Sequence, residues 1–149
     1  TDELLENIDT CILDLKPSKL FINIGTNDLS NPDITIAQMV DHYDQILCQV
    51  KAALPDVKLY LMAYYPVNYD AATEEMKPCL LVRTNPKIAE ANAAVKKLAE
   101  KYQAKYMDIN DPLKDENGNL KAEYTIEGMH IKEEGYRAIF PEFIRYAME

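Results

Sequence analysis

The sequence predicts an α/β protein whose parallel sheet is covered by helices on both faces. Two observations lead to this fold class. Segments with apolar residues at helical spacing alternate along the chain with short apolar runs that are typical of buried strands. The resulting order is α-β-α-β-α-β-α, which parallel strands joined by helical crossovers produce. The 149 residues are enough for one domain with a hydrophobic core.

Each element is recognised from its apolar spacing and from the residues that break the pattern around it. The predicted helices are one with Leu4, Leu5, Ile8 and Ile12 inward, one over residues 35–53, one that begins at Pro86, and a last one over residues 132–147 that buries Tyr136, Ile139, Phe140 and Phe143. The predicted strands are residues 20–24, 58–64 and 104–109. Residues 67–85 fit neither pattern and are too long for an ordinary connection, which indicates a functional loop or lid.

Composition and charge exclude several classes of function. The chain is 48% hydrophobic and 28% charged, which is ordinary for a globular protein, and its formal net charge of −9 argues against a nucleic-acid partner. The apolar runs are too short to span a membrane. Three cysteines without metal-type spacing predict neither a disulfide framework nor a zinc site, and they favour a reducing compartment such as the cytoplasm. The sequence leaves open whether a targeting segment lies upstream of Thr1.

The stretch "LFINIGTNDLS", residues 20–30, places small polar groups directly after a buried strand. Ligands and catalytic groups of parallel sheets collect at the carboxyl ends of the strands. Asn27 could therefore donate its side-chain amide to a developing oxyanion, with Gly25 and Asp28 supporting the turn. The structural alternative is that Asn27 and Asp28 only satisfy backbone donors.

The stretch "TIEGMHIKEEGY", residues 125–136, precedes the last predicted helix. Glu127 lies three residues before His130, and Gly128 between them allows a tight turn. A carboxylate beside an imidazole fixes the tautomer of the ring and stabilises the imidazolium, as a general base for acyl transfer requires. The alternative is a surface histidine beside a helix cap. The other histidine, His42, lies at the flank of a helical apolar stripe and is interpreted as a boundary residue.

Together, "G-T-N-D" after a strand and "E-G-M-H" before the C-terminal helix resemble the SGNH (GDSL-type) hydrolase family. The resemblance implies a flavodoxin-like, three-layer α/β/α sandwich over residues 1–149. It also implies that Asn27 is an oxyanion-hole donor and His130 the base that activates a serine. The third triad member of the family is usually Asp, and here Glu127 stands in its place. No metal or organic cofactor is implied.

The family's Gly-Asp-Ser nucleophile block is missing from the 24 residues that precede Gly25. Ser18 precedes its strand and should lie at the opposite edge of the sheet, whereas Ser30 lies on the correct edge without an activating neighbour. The resemblance therefore predicts a chain that lacks the first strands and the nucleophile. The exposed edge of the strand at residues 20–25 would then favour self-association or a separate N-terminal segment.

Two functions from different classes follow from these features. The leading hypothesis is a serine esterase or acylhydrolase that acts on small acyl or acetyl esters, with Tyr64, Tyr65 and Tyr69 near the pocket. The alternative is a non-catalytic flavodoxin-like binding or receiver-type module. A receiver would use Asp28 in an acidic pocket and a lysine after a late strand, and Lys114 is the loose match. It would give His130 no role.

Overall fold

A computed structural model describes all of residues 1–149. Its helices are α1 (Asp2–Glu6), α2 (Thr26–Leu29), α3 (Ile36–Ala53), α4 (Lys77–Val82), α5 (Asn85–Lys101) and α6 (Glu133–Met148). Its strands are β1 (Lys19–Ile22), β2 (Lys58–Met62) and β3 (Lys105–Met107). A π-helical turn over Asp9–Leu13 follows α1, and short 3₁₀ turns lie at Asp111–Leu113 and Ala122–Tyr124.

The three strands form one parallel sheet in the order β1-β2-β3. Leu20 is opposite Leu59 in the first pair, and Leu61 is opposite Tyr106 in the second. All three strands therefore point in one direction, and the loops that follow them meet at one edge of the sheet. β2 is hydrogen bonded on both sides, whereas β1 and β3 are the edge strands.

Helices cover both faces of the sheet and make the three-layer sandwich. One face is covered by α3 and α5, with α1 packed against α3, and its core includes Tyr43, Leu47, Leu61 and Val95. α6 covers the other face, where Phe21 stacks on Tyr60 with ring centroids 4.4 Å apart. Phe143 of α6 lies 5.1 Å from Phe21 between ring centroids and so ties this helix to β1.

The longest helices begin where the sequence provides caps. Thr35 and Gln38 form a reciprocal capping box at the start of α3, with hydrogen bonds of 2.9 and 3.2 Å. Thr84 caps α5 by accepting a 3.3 Å hydrogen bond from the backbone N–H of Lys87. The fold class and the order of these main elements agree with the sequence prediction.

Two details of the prediction are wrong. Residues 67–85 are not wholly irregular, because α4 forms within them. Tyr136 and Phe140 are 53% and 59% exposed, although helical spacing had placed them inward. The buried side of α6 is instead formed by Gly135 and Ile139, and a residue one step further along a helix lies about 100° round its axis. No helix is long and apolar enough to cross a membrane.

Candidate active site

The turn after β1 has a conformation that only glycine readily adopts. Gly25 has φ of +102°, and a side chain there would meet Tyr64 Oη at 2.8 Å and Met39 Sδ at 2.9 Å. The hydroxyl of Tyr64, which lies two residues after β2, donates a 2.5 Å hydrogen bond to the carbonyl oxygen of Ile24. Burial, followed by the negative charge of Asp28, raises the pKa of Tyr64 well above its ordinary value. The hydroxyl therefore stays protonated and holds the turn.

Asn27 lies in the short helix α2, directly after this turn, and its side chain is exposed. Its amide donates no hydrogen bond within the chain, so it is free to bind a ligand oxygen. Asp28 is buried beside it and accepts a 3.0 Å hydrogen bond from the backbone nitrogen of Thr1. The two neighbours thus differ in role, because Asp28 is engaged inside the protein and Asn27 is not.

Glu127 and His130 form a hydrogen-bonded pair in the loop before α6. Glu127 Oε1 lies 2.8 Å from His130 Nδ1 and also accepts the backbone N–H of His130 over 2.5 Å. In the neutral ring, a carboxylate at this nitrogen selects the tautomer with the proton on Nδ1, so Nε2 is left as the proton acceptor. The imidazole is 76% exposed and the carboxylate 20%, so the base is accessible and its partner is sheltered.

The loop around this pair is fixed by several contacts. An antiparallel bridge joins Thr125 to Ile131, and the Thr125 hydroxyl accepts a 2.9 Å hydrogen bond from the backbone N–H of Gly128. Gly128 has φ of +90°, and a side chain there would come within 2.4 Å of the carbonyl oxygen of Asn68. The backbone that carries Glu127 and His130 is therefore closely held.

A cavity of about 290 Å³ opens beside His130. Its lining residues are Asn23, Thr26, Met62, Tyr65, Arg83, Met129, His130, Ile131 and Tyr136. Tyr65 is thus at the pocket, as the sequence analysis expected. Tyr64 is not, because its buried hydroxyl is bonded to Ile24, and Tyr69 lies outside this cavity, over a different groove.

Asn27 and His130 lie at the same edge of the sheet but in neighbouring cavities. Asn27 lines a larger cavity of about 560 Å³, together with Gly25 and residues of α1. Asn23 and Thr26 line both cavities and form the boundary between them. An oxyanion donor and a base that act on one substrate are expected to share a cleft, whereas here they line two adjoining cavities.

Neither serine of the chain joins the hydrogen-bonded pair of Glu127 and His130. Ser18 immediately precedes β1 and therefore lies at the opposite edge of the sheet from His130. Ser30 ends α2, and neither serine hydroxyl is hydrogen bonded to His130. No group of three or more His, Cys, Asp or Glu side chains is arranged to hold a metal ion.

Arg83, at the end of α4, is a charged residue of this region that the sequence analysis missed. It is only 4% exposed, and its Nε has no hydrogen-bond partner. Burial lowers its pKa from the ordinary value. The available signal was an arginine at the end of the apolar run "CLLV", where a charge is costly unless it serves a purpose.

The chain is similar to proteins of one known family. The model of the GDSL-like lipase/acylhydrolase family matches residues 1–138. A solved structure from Streptococcus pneumoniae, provisionally described as a platelet activating factor, is 32% identical with a TM-score of 0.85, and the match covers 97% of this chain and 66% of that one. No curated protein matches the chain.

More distant structures share the fold. A GDSL-like lipase from Bacteroides thetaiotaomicron is 23% identical with a TM-score of 0.77, over 96% of this chain and 67% of that one. An acetyl-xylooligosaccharide esterase from Geobacillus stearothermophilus is 16% identical with a TM-score of 0.73, over 97% of this chain and 65% of that one. For that esterase, variants in which a serine or a histidine is replaced by alanine are described as catalytic mutants.

These matches define the fold class as a three-layer α/β/α sandwich with a parallel sheet. The chain belongs to the GDSL-like lipase/acylhydrolase family. It spans about two thirds of the length of the structures that it matches.

Proposed function

We propose that this chain supplies the acid–base pair and an oxyanion donor of a serine ester hydrolase. The observation that carries the proposal is the 2.8 Å hydrogen bond between Glu127 Oε1 and His130 Nδ1, with the ring exposed beside a cavity. Membership of the GDSL-like family supports it, since the family is described as one of lipases and acylhydrolases. Family membership also disfavours the receiver-type alternative, which gives His130 no role.

In the proposed reaction, His130 Nε2 accepts the proton of a serine hydroxyl as the serine oxygen attacks the ester carbonyl. Glu127 stabilises the imidazolium that forms. The Asn27 amide donates a hydrogen bond to the oxyanion of the tetrahedral intermediate. The imidazolium then protonates the leaving alcohol, and water releases the acid from the acyl-enzyme with His130 again acting as the base.

The serine in this scheme is not one of those in the chain. Neither Ser18 nor Ser30 is bonded to His130, and about one third of the length of the relatives lies outside the part that this chain matches. In the esterase from Geobacillus stearothermophilus, both a serine and a histidine are sites of catalytic mutants. We therefore place the nucleophile in a segment outside residues 1–149, next to the exposed ring of His130.

The size of the cavity supports a small ester as the substrate. About 290 Å³ lies at the lower limit of ligand pockets, so the group that it accepts is small. An acetyl or short acyl ester fits this volume, and the adjoining cavity at Asn27 provides room for further parts of the substrate. The reaction as written needs no cofactor.

The test combines activity with covalent labelling. The purified protein is assayed with p-nitrophenyl acetate, treated with a fluorophosphonate that labels activated serines, and weighed by intact mass spectrometry. We expect a labelled serine on a segment distinct from the 17.0 kDa chain and a loss of labelling in His130→Ala. Turnover by a preparation that contains this chain alone, with the label on Ser30, would contradict the placement of the nucleophile. Unchanged turnover in His130→Ala would contradict the proposed mechanism.

A further inference from the structure

Arg83 is a buried cation without an acceptor. Its side chain is 4% exposed, and it donates no hydrogen bond and forms no ion pair within the chain, while its backbone N–H is satisfied by Cys79 at 2.9 Å. Buried charges in proteins are normally paired, because desolvation without a partner is costly. A guanidinium left in this state indicates a binding partner that is absent from the chain.

The position of Arg83 shows where that partner would lie. Arg83 lines the cavity beside His130, and apart from His130 it is the one ionisable cation there. Much of the remaining wall is apolar, with Met62, Met129 and Ile131. A single fixed cation in a mostly apolar pocket selects ligands by charge more strongly than a solvated surface cation does, because the charge is less screened.

We propose that Arg83 binds an oxyanion group, a carboxylate or a phosphate, of the ligand that occupies the His130 cavity. The planar fork of a guanidinium matches the paired oxygens of either group. The proposal rests on the proposed function, in that it assigns the substrate class as a small ester that carries a negative charge near the scissile bond. Arg83 would then contribute to specificity, and His130 to the chemistry.

Within the chain, Glu127 is the alternative to an external anion as a partner for Arg83. Its Oε2 is buried without a hydrogen-bond partner, and its charge acts on Arg83 together with Cys79 and Tyr64. However, Glu127 and Arg83 form no ion pair, and Glu127 Oε1 is already engaged by His130. Glu127 therefore offsets part of the charge of Arg83 without satisfying its donors.

The formal net charge of the whole chain does not explain anion binding either. A net charge of −9 repels anions in general, so an anion that binds must do so at a particular site.

Arg137 is a suitable control residue for Arg83. It is an exposed arginine of α6, paired with Glu133 and absent from the cavity wall.

The experiment measures binding to the protein by NMR, without turnover. Acetate, inorganic phosphate and chloride are titrated separately, and the Arg83 Nε–H and the His130 ring signals are followed. We expect acetate or phosphate to shift both signals along one saturable curve, with chloride much weaker because it lacks paired oxygens. Arg83→Gln should weaken this binding about tenfold or more, and Arg137→Gln should leave it within about twofold.

Three results would overturn the proposal. One is a titration with acetate and phosphate that leaves the Arg83 signal of the unchanged protein unmoved, which decides the matter even if Arg83→Gln does not fold. Another is an equal loss of binding in Arg83→Gln and Arg137→Gln. The third is an Arg83→Gln variant that binds anions normally but shifts the Nδ1–H signal of His130, which would make Arg83 a positioning residue for Glu127.

The outcome is separable from that of the esterase test. Because p-nitrophenyl acetate carries no charge on its acyl group, its hydrolysis does not depend on an anion site. Turnover of this ester without oxyanion binding would refute the role of Arg83 and leave the esterase standing. Oxyanion binding without any turnover, in a preparation that contains the labelled serine, would support the site and count against the proposed reaction.

Discussion

The backbone N–H of Asn68 donates a 2.7 Å hydrogen bond to the carbonyl oxygen of Gly128. This contact joins the long segment after β2 to the loop that holds Glu127 and His130. A side chain at Gly128 would come within 2.4 Å of the Asn68 carbonyl oxygen and 2.9 Å of Ala72. The position of the candidate base therefore depends on a close approach between two backbone segments.

Gly128→Ala should destabilise the protein by about 1–3 kcal/mol, because it combines a positive φ with a backbone clash. Urea unfolding measures the change. The matched control is Gly118→Ala, which has φ of +81° but open space around it, so it should cost less. Equal losses in the two variants would show that the contact with Asn68 does not matter.

Glu127→Gln should lower kcat of the intact enzyme by about 100-fold or more. An amide can present its NH₂ group to Nδ1, which selects the wrong tautomer, and it no longer stabilises the imidazolium. The assay is hydrolysis of p-nitrophenyl acetate, with Glu123→Gln as the control because Glu123 is exposed in the preceding turn. A rate within about threefold of the unchanged enzyme would mean that the Glu127–His130 hydrogen bond has no catalytic role.

Asn27→Ala should lower kcat by about 10²- to 10³-fold with little change in KM, as expected for one oxyanion donor. The side chain is exposed and unbonded, so its loss should not affect folding. Asn117→Ala, in the exposed turn after β3, controls for the loss of a surface amide. A large rise in KM at normal kcat would instead identify Asn27 as a substrate-binding residue.

Stability should fall as the pH rises through the alkaline range. Burial, followed by the charge of Asp108, raises the pKa of Tyr106 to about 12, whereas the unfolded tyrosine titrates near 10. Above about pH 10 the unfolded state loses its proton first, so the contribution of Tyr106 is intact below that pH and is lost by about pH 12. Urea midpoints between pH 9 and 12 measure the decline.

Tyr106→Phe should flatten part of this decline, because it removes one ionisable group from the folded and the unfolded state alike. Tyr69→Phe is the control, since the side chain of Tyr69 is exposed. A decline of the same steepness in Tyr106→Phe and in the unchanged protein would contradict the assignment.

Much of the fold was predictable from the sequence because helical stripes and apolar runs are local signals. The stripe of α3 and the three strands follow from them. The orientation of α6 did not, because apolar residues occupy more than one side of this helix and only tertiary packing selects Ile139 over Phe140. α4 was missed because Pro78 lies within its first turn, where proline is tolerated.

The candidate site was partly predictable for the same reason. Glu127 and His130 are three residues apart, so local spacing alone indicates their contact. The separation of Asn27 and His130 into two cavities depends on Asn23 and Thr26, which no local pattern places. Arg83 reaches the cavity from α4, a helix that the sequence analysis did not contain, so its role could be inferred only from the structure.

In a preparation without a separate segment at this edge, the exposed edge of β1 should make the protein self-associate as its concentration rises. β1 pairs only with β2, so its other side presents unpaired backbone donors and acceptors. Sedimentation should show a mass that increases with concentration, and the outward amides of Lys19–Ile22 should exchange more slowly as it does. The amides of Leu59–Leu61 are the internal control, because β2 is paired on both sides.

The Phe140→Ser variant tests whether self-association uses the β1 edge or a second apolar surface, on α6. Tyr136, Phe140, Ile144 and Met148 recur every four residues along α6 and are all exposed. If association uses the β1 edge, Phe140→Ser should leave both the mass and the exchange of β1 unchanged. Loss of association in Phe140→Ser, with β1 amides exchanging at the same rate at every concentration, would assign the contact to α6. A protein that stays monomeric throughout would remove self-association from both surfaces.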